Sequence, residues 1–162
     1  MTRSSKIPLL GNPAAKQIRV QRVVAKTLKE QSPILDRGFE VRTPAELVEK
    51  IRPFMDSTNE LFVAVFVNIR NKVVGYTEFT SGSSSSVEVH PSGIFQGALL
   101  AGAAAVITIH NHPSGDPTPS NEDRALWRRL RDAGNLMGLP VLDNLVIGDT
   151  GRFFSEMEEG SR

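Results

Sequence analysis

Apolar residues recur at helical spacing in the segment that begins at Thr43. The tetrapeptide Thr-Pro-Ala-Glu opens this segment with an N-cap threonine, a proline suited to the first helical position and a capping-box glutamate. The pattern predicts a helix from Thr43 that ends near Asn59. Its inner face is predicted to carry Leu47, Val48, Ile51 and Phe54.

Two apolar runs separated by a short polar turn predict a hairpin after this helix. The first, Glu60 to Ile69, is apolar on both faces and is typical of a buried strand. Arg70 to Lys72 forms the turn, and Val73 to Phe79 returns as the second strand. The serine-rich segment from Ser81 to Ser86 is predicted to be a flexible loop.

The second half of the chain predicts two more helices and three strands. His90-Pro91 opens one helix, with Gly102 as the residue that follows its end. Its inner side is predicted to carry Ile94, Phe95, Ala98, Leu99 and Leu100. The other helix runs from Ser120 to about Met137. The predicted strands are Ala103 to Ile109, Val141 to Ile147 and Arg152 to Ser155. This order favours an α+β fold, a largely antiparallel sheet flanked by helices.

Composition describes one globular domain of 162 residues, with 40% apolar and 23% charged residues. Residues 1–16 are polar and are predicted to be a loose terminus, so the domain spans residues 17–162. Gln17 to Leu28 favours a strand over a short helix because of its β-branched residues.

Charge and residue usage exclude several classes of protein. A net charge of +1 gives no electrostatic reason to expect nucleic acid or a membrane as the main partner. The absence of cysteine excludes disulfides, thiolate nucleophiles and cysteine-based zinc fingers. No apolar run approaches the ~20 residues of a membrane span, which favours a cytoplasmic location.

Candidate chemistry is concentrated between His110 and Asp123. His110 and His112 follow a strongly apolar predicted strand, so both imidazoles can turn the same way and reach one ion. A loop rich in proline and glycine follows, and Asp123 lies in the first turn of the next helix. An isolated His-x-His usually consists of two polar residues at a strand end. Here the apolar strand, the stiff loop and the helix start favour a metal site. Two nitrogens and one carboxylate, with a fourth position for water, are the ligand count of catalytic zinc.

The string His-Asn-His-Pro-Ser-Gly-Asp-Pro-Thr-Pro-Ser-x-x-Asp resembles the signature of JAMM (MPN-plus) metalloproteases, in particular their RadC-like branch. The segments 87–91 and 142–148 also fit that branch, and the resemblance covers roughly Thr43 to Ser155. It implies an α+β fold of the MPN, or cytidine deaminase-like, type. The helix-hairpin-helix segment of longer RadC proteins is expected to be missing. Asn144 stands where RadC-like sequences more often have histidine, which removes an accessory ligand or hydrogen-bond partner.

The resemblance also implies residue roles. His110, His112 and Asp123 match the zinc ligands, and a zinc-activated water would hydrolyse a peptide or isopeptide bond. Glu60 matches the general base by its position before a long strand, with Glu88 as the rival carboxylate. Glu60 is preferred because Glu88 precedes a helix.

Ser120 matches the serine that steadies the oxyanion, although Ser-x-x-Asp is also the pattern of a helix N-cap. If Asp123 binds zinc, its carboxylate is expected not to be free to complete that cap. His90 is interpreted as a helix-entry residue. Trp127 is interpreted as a core residue in preference to a contact patch with Arg128 and Arg129.

Two functions remain open. The first is a JAMM-type peptidase or isopeptidase that acts on proteins, ubiquitin-like modifiers among them. The second is an accessory or binding module in DNA repair or recombination, with a structural metal. The ligand set favours the enzyme, because a structural site tends to have a fourth protein ligand. The balanced charge does not support strong binding to a phosphate backbone.

Overall fold

The computed structural model describes residues 35–55, 59–80, 89–149 and 151–159. In chain order, the elements are α1 (Pro44–Met55), β1 (Leu61–Val67), β2 (Val73–Thr80), α2 (Pro91–Ala101), β3 (Ala105–Asn111), α3 (Asn121–Met137), β4 (Val141–Ile147), β5 (Phe153–Ser155) and α4 (Glu156–Glu159). The predicted loose terminus, the strand from Gln17 to Leu28, the serine-rich loop and Glu88 lie outside the described residues.

The five strands form one mixed sheet in the order β2-β1-β3-β4-β5. The β3–β4 pair is parallel and the other pairs are antiparallel, so the predicted α+β architecture is confirmed. Helix α3 connects β3 to β4, which is the crossover that a parallel pair requires. Strand β3 therefore lies in the middle of the sheet, and its end determines where the polar residues that follow it lie.

Both faces of the sheet are covered by apolar side chains. Val63, Val65 and Val67 of β1 pack in the cluster that includes helix α1. Phe62 and Phe66 alternate with them and pack in the cluster that includes helix α2 and Leu130 of α3. The burial of both faces explains why β1 is an unbroken apolar run and not an alternating one. Trp127 is also buried, which confirms its interpretation as a core residue.

Helix α1 begins as the sequence predicts, since the Thr43 hydroxyl accepts a hydrogen bond from the Glu46 amide at 3.2 Å. The described part of the helix extends to Met55, and the predicted end near Asn59 is not tested, because residues 56–58 lie outside the described residues. The prediction that Phe54 lies on the inner face is wrong, because Phe54 is 37% exposed and Met55 is buried in its place. After Ile51, the next residue on the buried face of the helix is Met55, four positions later, as expected for a period of 3.6 residues.

Helix α2 buries Ile94, Phe95 and Ala98 as predicted and ends at Gly102, whose φ of 65° is left-handed. The prediction that Leu99 and Leu100 face inward is wrong, since they are 61% and 53% exposed. Each successive residue turns about 100° around a helix, so five positions within seven residues cannot all lie on one face.

Strand β3 begins and ends two residues later than predicted, and it therefore contains His110 and Asn111. The short helix α4 was not predicted. Among the described helices, none combines the length and apolar character needed to cross a bilayer.

Candidate metal centre

The histidines converge at the end of β3. His110 is paired with Phe62 of β1 and with Val146 of β4, and His112 follows directly after the strand. The two Nε2 atoms lie 3.1 Å apart. The expectation that side chains two residues apart on a strand reach one point is confirmed for this pair.

Helix α3 supplies the carboxylate. Asp123 Oδ1 lies 3.1 Å from His110 Nε2, and Asp123 Oδ2 lies 3.4 Å from His112 Nε2. Asp123 Oδ2 also accepts a hydrogen bond from the Ser120 amide at 2.7 Å, which completes the capping box. Without a metal ion, the carboxylate of Asp123 completes the cap through Oδ2 while Oδ1 faces His110, and the expectation that zinc binding would take it from the cap stays a prediction.

The distances within this triad are short enough for the three side chains to converge on one metal ion. Ligand atoms at about 2.0–2.1 Å from a tetrahedral zinc ion lie about 3.3 Å from one another. The two Nε2 atoms lie 3.1 Å apart, His110 Nε2 lies 3.1 Å from Asp123 Oδ1, and His112 Nε2 lies 3.4 Å from the other oxygen, Oδ2. With one ligand atom taken from each residue, all three atoms lie within 4.8 Å of one another. The residues present therefore fit a metal ion, and two histidines with one carboxylate are a ligand set of catalytic zinc sites.

The tautomer of His112 strengthens this fit. Its Nδ1 lies 2.8 Å from the carbonyl oxygen of Asp116, which can only accept, so Nδ1 carries a proton. In the neutral ring, Nε2 then presents a lone pair towards the carboxylate of Asp123. Acceptor atoms this close repel one another unless a cation, either a metal ion or a proton, lies among them. The carbonyl of Asp116 thus orients His112 as outer-shell partners of metal-bound histidines do.

Protonation within the triad responds to the same contacts. The hydrogen bond with Asp123 raises the pKa of His112 above its ordinary value, against the opposing effect of burial. Burial raises the pKa of Asp123, but the hydrogen bonds from His110 and His112 outweigh it and hold that pKa well below its ordinary range. The carboxylate is therefore anionic across the neutral range and attracts a cation.

His110 is the more buried of the two histidines, at 1% exposed. Its ring stacks on Phe62, with centroids 5.9 Å apart and planes 14° from parallel. Among the described residues, no group forms a hydrogen bond with its Nδ1. Packing against β1 therefore determines the orientation of this ring.

The loop between β3 and α3 is packed tightly against the turn between β4 and β5. Gly115 has a φ of 81°, and a Cβ there would lie 2.7 Å from Asp149 Oδ2. The Asp149 amide donates to the Gly115 carbonyl at 3.0 Å, and a Cβ on Gly148 would lie 2.5 Å from that carbonyl oxygen. These contacts explain why glycine is required here, and they hold the loop that joins the histidines to Asp123.

Glu60 lies directly before β1, half-buried, and close enough to His112 for its charge to favour the imidazolium form. The side chain of Asn111 holds this segment, because its Oδ1 accepts from the Leu61 amide at 2.8 Å. Sequence reasoning did not single out Asn111 or Asp116. A polar residue between two ligands, at the end of an otherwise apolar strand, was the available signal for Asn111.

Ser120 is exposed at the N-cap of α3, and its hydroxyl lies 2.7 Å from Asp123 Oδ2. It also accepts from the Asp123 amide at 3.1 Å, so the N-cap interpretation is confirmed. His90 is the N-cap of α2 and is exposed. Asn144 forms hydrogen bonds with Thr108 and Glu156.

A mixed sheet flanked by helices, with His-x-His at a strand end and Asp in the first turn of the next helix, defines a protein of the MPN/JAB class. Residues 41–161 match the family model described as the RadC-like JAB domain. The chain belongs to this family.

Similar proteins include the UPF0758 protein YsxA of Bacillus subtilis (strain 168), which is 44% identical over 128 residues, 77% of this chain and 54% of that protein. A UPF0758 protein of Salinibacter ruber is 45% identical over 117 residues, 71% of this chain and 50% of that protein. A UPF0758 protein of Geotalea uraniireducens is 40% identical over 119 residues, 73% of this chain and 52% of that protein. The chain spans about half the length of these relatives, and their names state no activity.

Proposed function

We propose that this protein is a zinc-dependent hydrolase of the JAMM type that cleaves a peptide or isopeptide bond. The observation that carries the proposal is the convergence of two imidazole nitrogens and a carboxylate, with one ligand atom from each residue lying within 4.8 Å of the others. The family assignment supports the same chemistry, because it places the chain among JAB domains.

The residues of the triad would hold the ion, and Glu60 and Ser120 would act on the reactants. When bound, zinc lowers the pKa of a water ligand from about 15.7 towards about 7 and polarises a carbonyl. Glu60, whose charge reaches His112, would accept a proton from water and pass it to the leaving amine. The hydroxyl of Ser120 would turn from Asp123 Oδ2 to donate to the developing oxyanion.

A DNA-binding accessory role has less support from the geometry. The alternative contact patch on α3 combined Trp127 with Arg128 and Arg129, and both of these arginines are exposed. Trp127 is 1% exposed and cannot stack on a base. The net charge of +1 adds no general attraction to a polyanion.

The test is cleavage by the zinc-loaded protein of a linear peptide library and of isopeptide-linked peptides, with new amino termini identified by mass spectrometry. The Glu60→Gln variant is expected to retain zinc and to lower the cleavage rate about 10²- to 10⁴-fold. Glu78→Gln removes an exposed carboxylate from the neighbouring strand β2 and is the matched control, expected to cleave at the parental rate.

Two results would contradict this proposal. A zinc-loaded parent that cleaves neither class of substrate would argue against hydrolysis of amide bonds. Full activity in Glu60→Gln together with loss in Glu88→Gln would show that Glu60 is not the base.

A further inference from the structure

Asn111 lies between the two histidines, and its side chain forms hydrogen bonds away from the triad. It is 4% exposed and is the last residue of β3. Its Oδ1 accepts from the Leu61 amide at 2.8 Å, and its Nδ2 donates to the Asn59 carbonyl at 3.2 Å. One buried amide therefore spans the segment 59–61.

These two hydrogen bonds hold the peptide groups on both sides of Glu60. The Asn59 carbonyl belongs to the peptide that precedes the Glu60 Cα, and the Leu61 amide belongs to the peptide that follows it. Two peptide planes that are both fixed leave φ and ψ of the residue between them little freedom. The direction of the Cα–Cβ bond of Glu60, and with it the reach of the carboxylate, is therefore set by Asn111.

On the side of β3, the backbone pairing of the sheet does not reach Leu61. The last pair between β1 and β3 is Phe62 with His110, whereas Leu61 pairs only with Thr80 of β2. The side-chain amide of Asn111 extends the pairing, because it offers one donor and one acceptor as a peptide group does. An aspartate at position 111 would present two acceptors and repel the Asn59 carbonyl. An alanine there would leave the Leu61 amide and the Asn59 carbonyl without this hydrogen-bonding partner.

We propose that Asn111 is a positioning residue, which fixes the backbone of Glu60 relative to the metal ligands on either side of Asn111 in the chain. The inference rests on the proposed function, since it assigns Glu60 a task at the metal. Because Asn111 is covalently joined to both His110 and His112, any shift of the ligand strand carries the Glu60 segment with it. The distance between base and metal is thereby kept constant.

The first readout is hydrogen exchange of the Leu61 amide, followed by NMR. In Asn111→Ala this amide is expected to exchange about 2- to 12-fold faster, relative to the amides of β1 beyond Phe62, because one hydrogen bond is lost. The matched control is Asn144→Ala, which removes the amide of another buried asparagine, 2% exposed, that bonds Thr108 and Glu156 instead. It is expected to leave the relative exchange of Leu61 unchanged.

The second readout is calorimetric binding of acetohydroxamate to the zinc-loaded protein, with zinc content checked in each variant. This probe binds a metal through its oxygens and transfers its proton to a nearby carboxylate, so its affinity reports where Glu60 lies. Glu60→Gln is expected to weaken binding about 10- to 150-fold, the loss of a hydrogen bond to a charged group. Asn111→Ala is expected to weaken it about tenfold with zinc retained, because the carboxylate is misplaced.

A double variant separates positioning from general damage. Adding Asn111→Ala to Glu60→Gln is expected to cause no further loss of acetohydroxamate affinity, because both changes act through one carboxylate. An equal loss in both backgrounds, or unchanged exchange at Leu61 in Asn111→Ala, would overturn the inference. If Asn111→Ala does not fold, Asn111→Asp replaces it: Leu61 should stay protected while the Asn59 end is released and acetohydroxamate binds more weakly.

Failure of this inference can be distinguished from failure of the proposed function. If Glu60→Gln leaves acetohydroxamate affinity at the parental value, the proposed role of Glu60 is wrong, and with it the task assigned to Asn111. If Glu60→Gln weakens binding and Asn111→Ala does not, only the positioning role is wrong.

Discussion

The triad of His110, His112 and Asp123 differs sharply from the polar cluster around Asp143 on the neighbouring strand. Both contain a carboxylate shielded from solvent. Asp143 Oδ2 accepts from the Ser155 hydroxyl at 2.7 Å, and its Oδ1 accepts from the amides of Asn144 and Met157 at 2.8 and 3.0 Å. Every contact in that cluster joins a donor to an acceptor.

In the triad, by contrast, the contact between His112 and Asp123 joins two acceptors when the His112 ring is neutral. The carbonyl of Asp116 orients His112 so that its Nε2 lone pair points to the carboxylate of Asp123, and His110 Nε2 lies 3.1 Å away. A cluster in which every carboxylate contact joins a donor to an acceptor stabilises the fold, whereas the His112–Asp123 contact needs a metal ion or a proton between its atoms. The difference favours the half-buried Asp123 over the buried Asp143 as the candidate functional carboxylate.

The largest expected effect is on metal content. The parent is expected to bind one zinc ion per chain, and His110→Ala, His112→Ala or Asp123→Ala should abolish stoichiometric binding, because three ligands are the minimum of this site. Asp143→Asn is the control from the other cluster and should retain the metal. Elemental analysis after gel filtration measures this, and full zinc content in all three triad variants would disprove the site.

Ser120 tests whether an N-cap next to the triad also acts in catalysis. Ser120→Gly should lower the rate of cleavage about 10²- to 10³-fold, because the hydroxyl that would donate to the oxyanion is lost. Glycine is a tolerated N-cap, so the free energy of unfolding should fall by only a few tenths of a kcal/mol. Steady-state kinetics and thermal melting measure the two effects. A folded, zinc-loaded variant with parental turnover would reduce Ser120 to a cap.

Substitutions of Asp143 are expected to change the free energy of unfolding and not the metal content. Asp143→Ala leaves the Ser155 hydroxyl and two backbone amides without their acceptor, so the free energy of unfolding should fall by about 1–3 kcal/mol. Asp143→Asn should change it much less, because an amide oxygen still accepts and the pKa of Asp143, raised by burial, shows that the charged form is costly there. Urea unfolding measures both, and a loss of zinc in Asp143→Ala would contradict the division between the clusters.

The smallest expected effect is a pH dependence of metal affinity. Asp123 raises the pKa of His112 above the ordinary value of 6.5, so a proton competes with the ion below that raised pKa. As the pH falls below the raised pKa of His112, the Kd for zinc should increase about tenfold per pH unit, because zinc must displace one proton from this residue. In the metal-free protein, the stability of the fold depends on pH in the opposite direction to zinc affinity. The His112–Asp123 contact stabilises the fold below pH 6.5, and this stabilisation is lost as the pH rises through the raised pKa of His112.

His90→Gln is the control for this titration, since His90 is exposed at the start of α2. It should leave the pH dependence of the zinc Kd unchanged. A zinc Kd in the parent that is constant from pH 5 to 8 would contradict the assignment of His112 as a ligand.

Several parts of this molecule follow from local sequence, because their cause lies within a few residues. The Thr43 cap and the Gly102 helix end were predicted from short-range hydrogen bonding and backbone freedom. His110 and His112 meet because a strand repeats every two residues, and Asp123 lies in the first turn of a helix that begins next to them. Thus the convergence of the three candidate ligands was predictable from spacing, while the exposure of Leu99 and Leu100 was not.

The arrangement around the ligands depends on contacts between residues far apart in the chain. Asn111 meets the Glu60 segment across 50 residues, and Gly115 meets Asp149 only because β4 lies beside β3. Periodicity describes which side a residue faces but not which strand pairs with which. The candidate metal ligands can therefore be identified from the order of residues, while the position of Glu60 near them depends on how β1 and β3 pair.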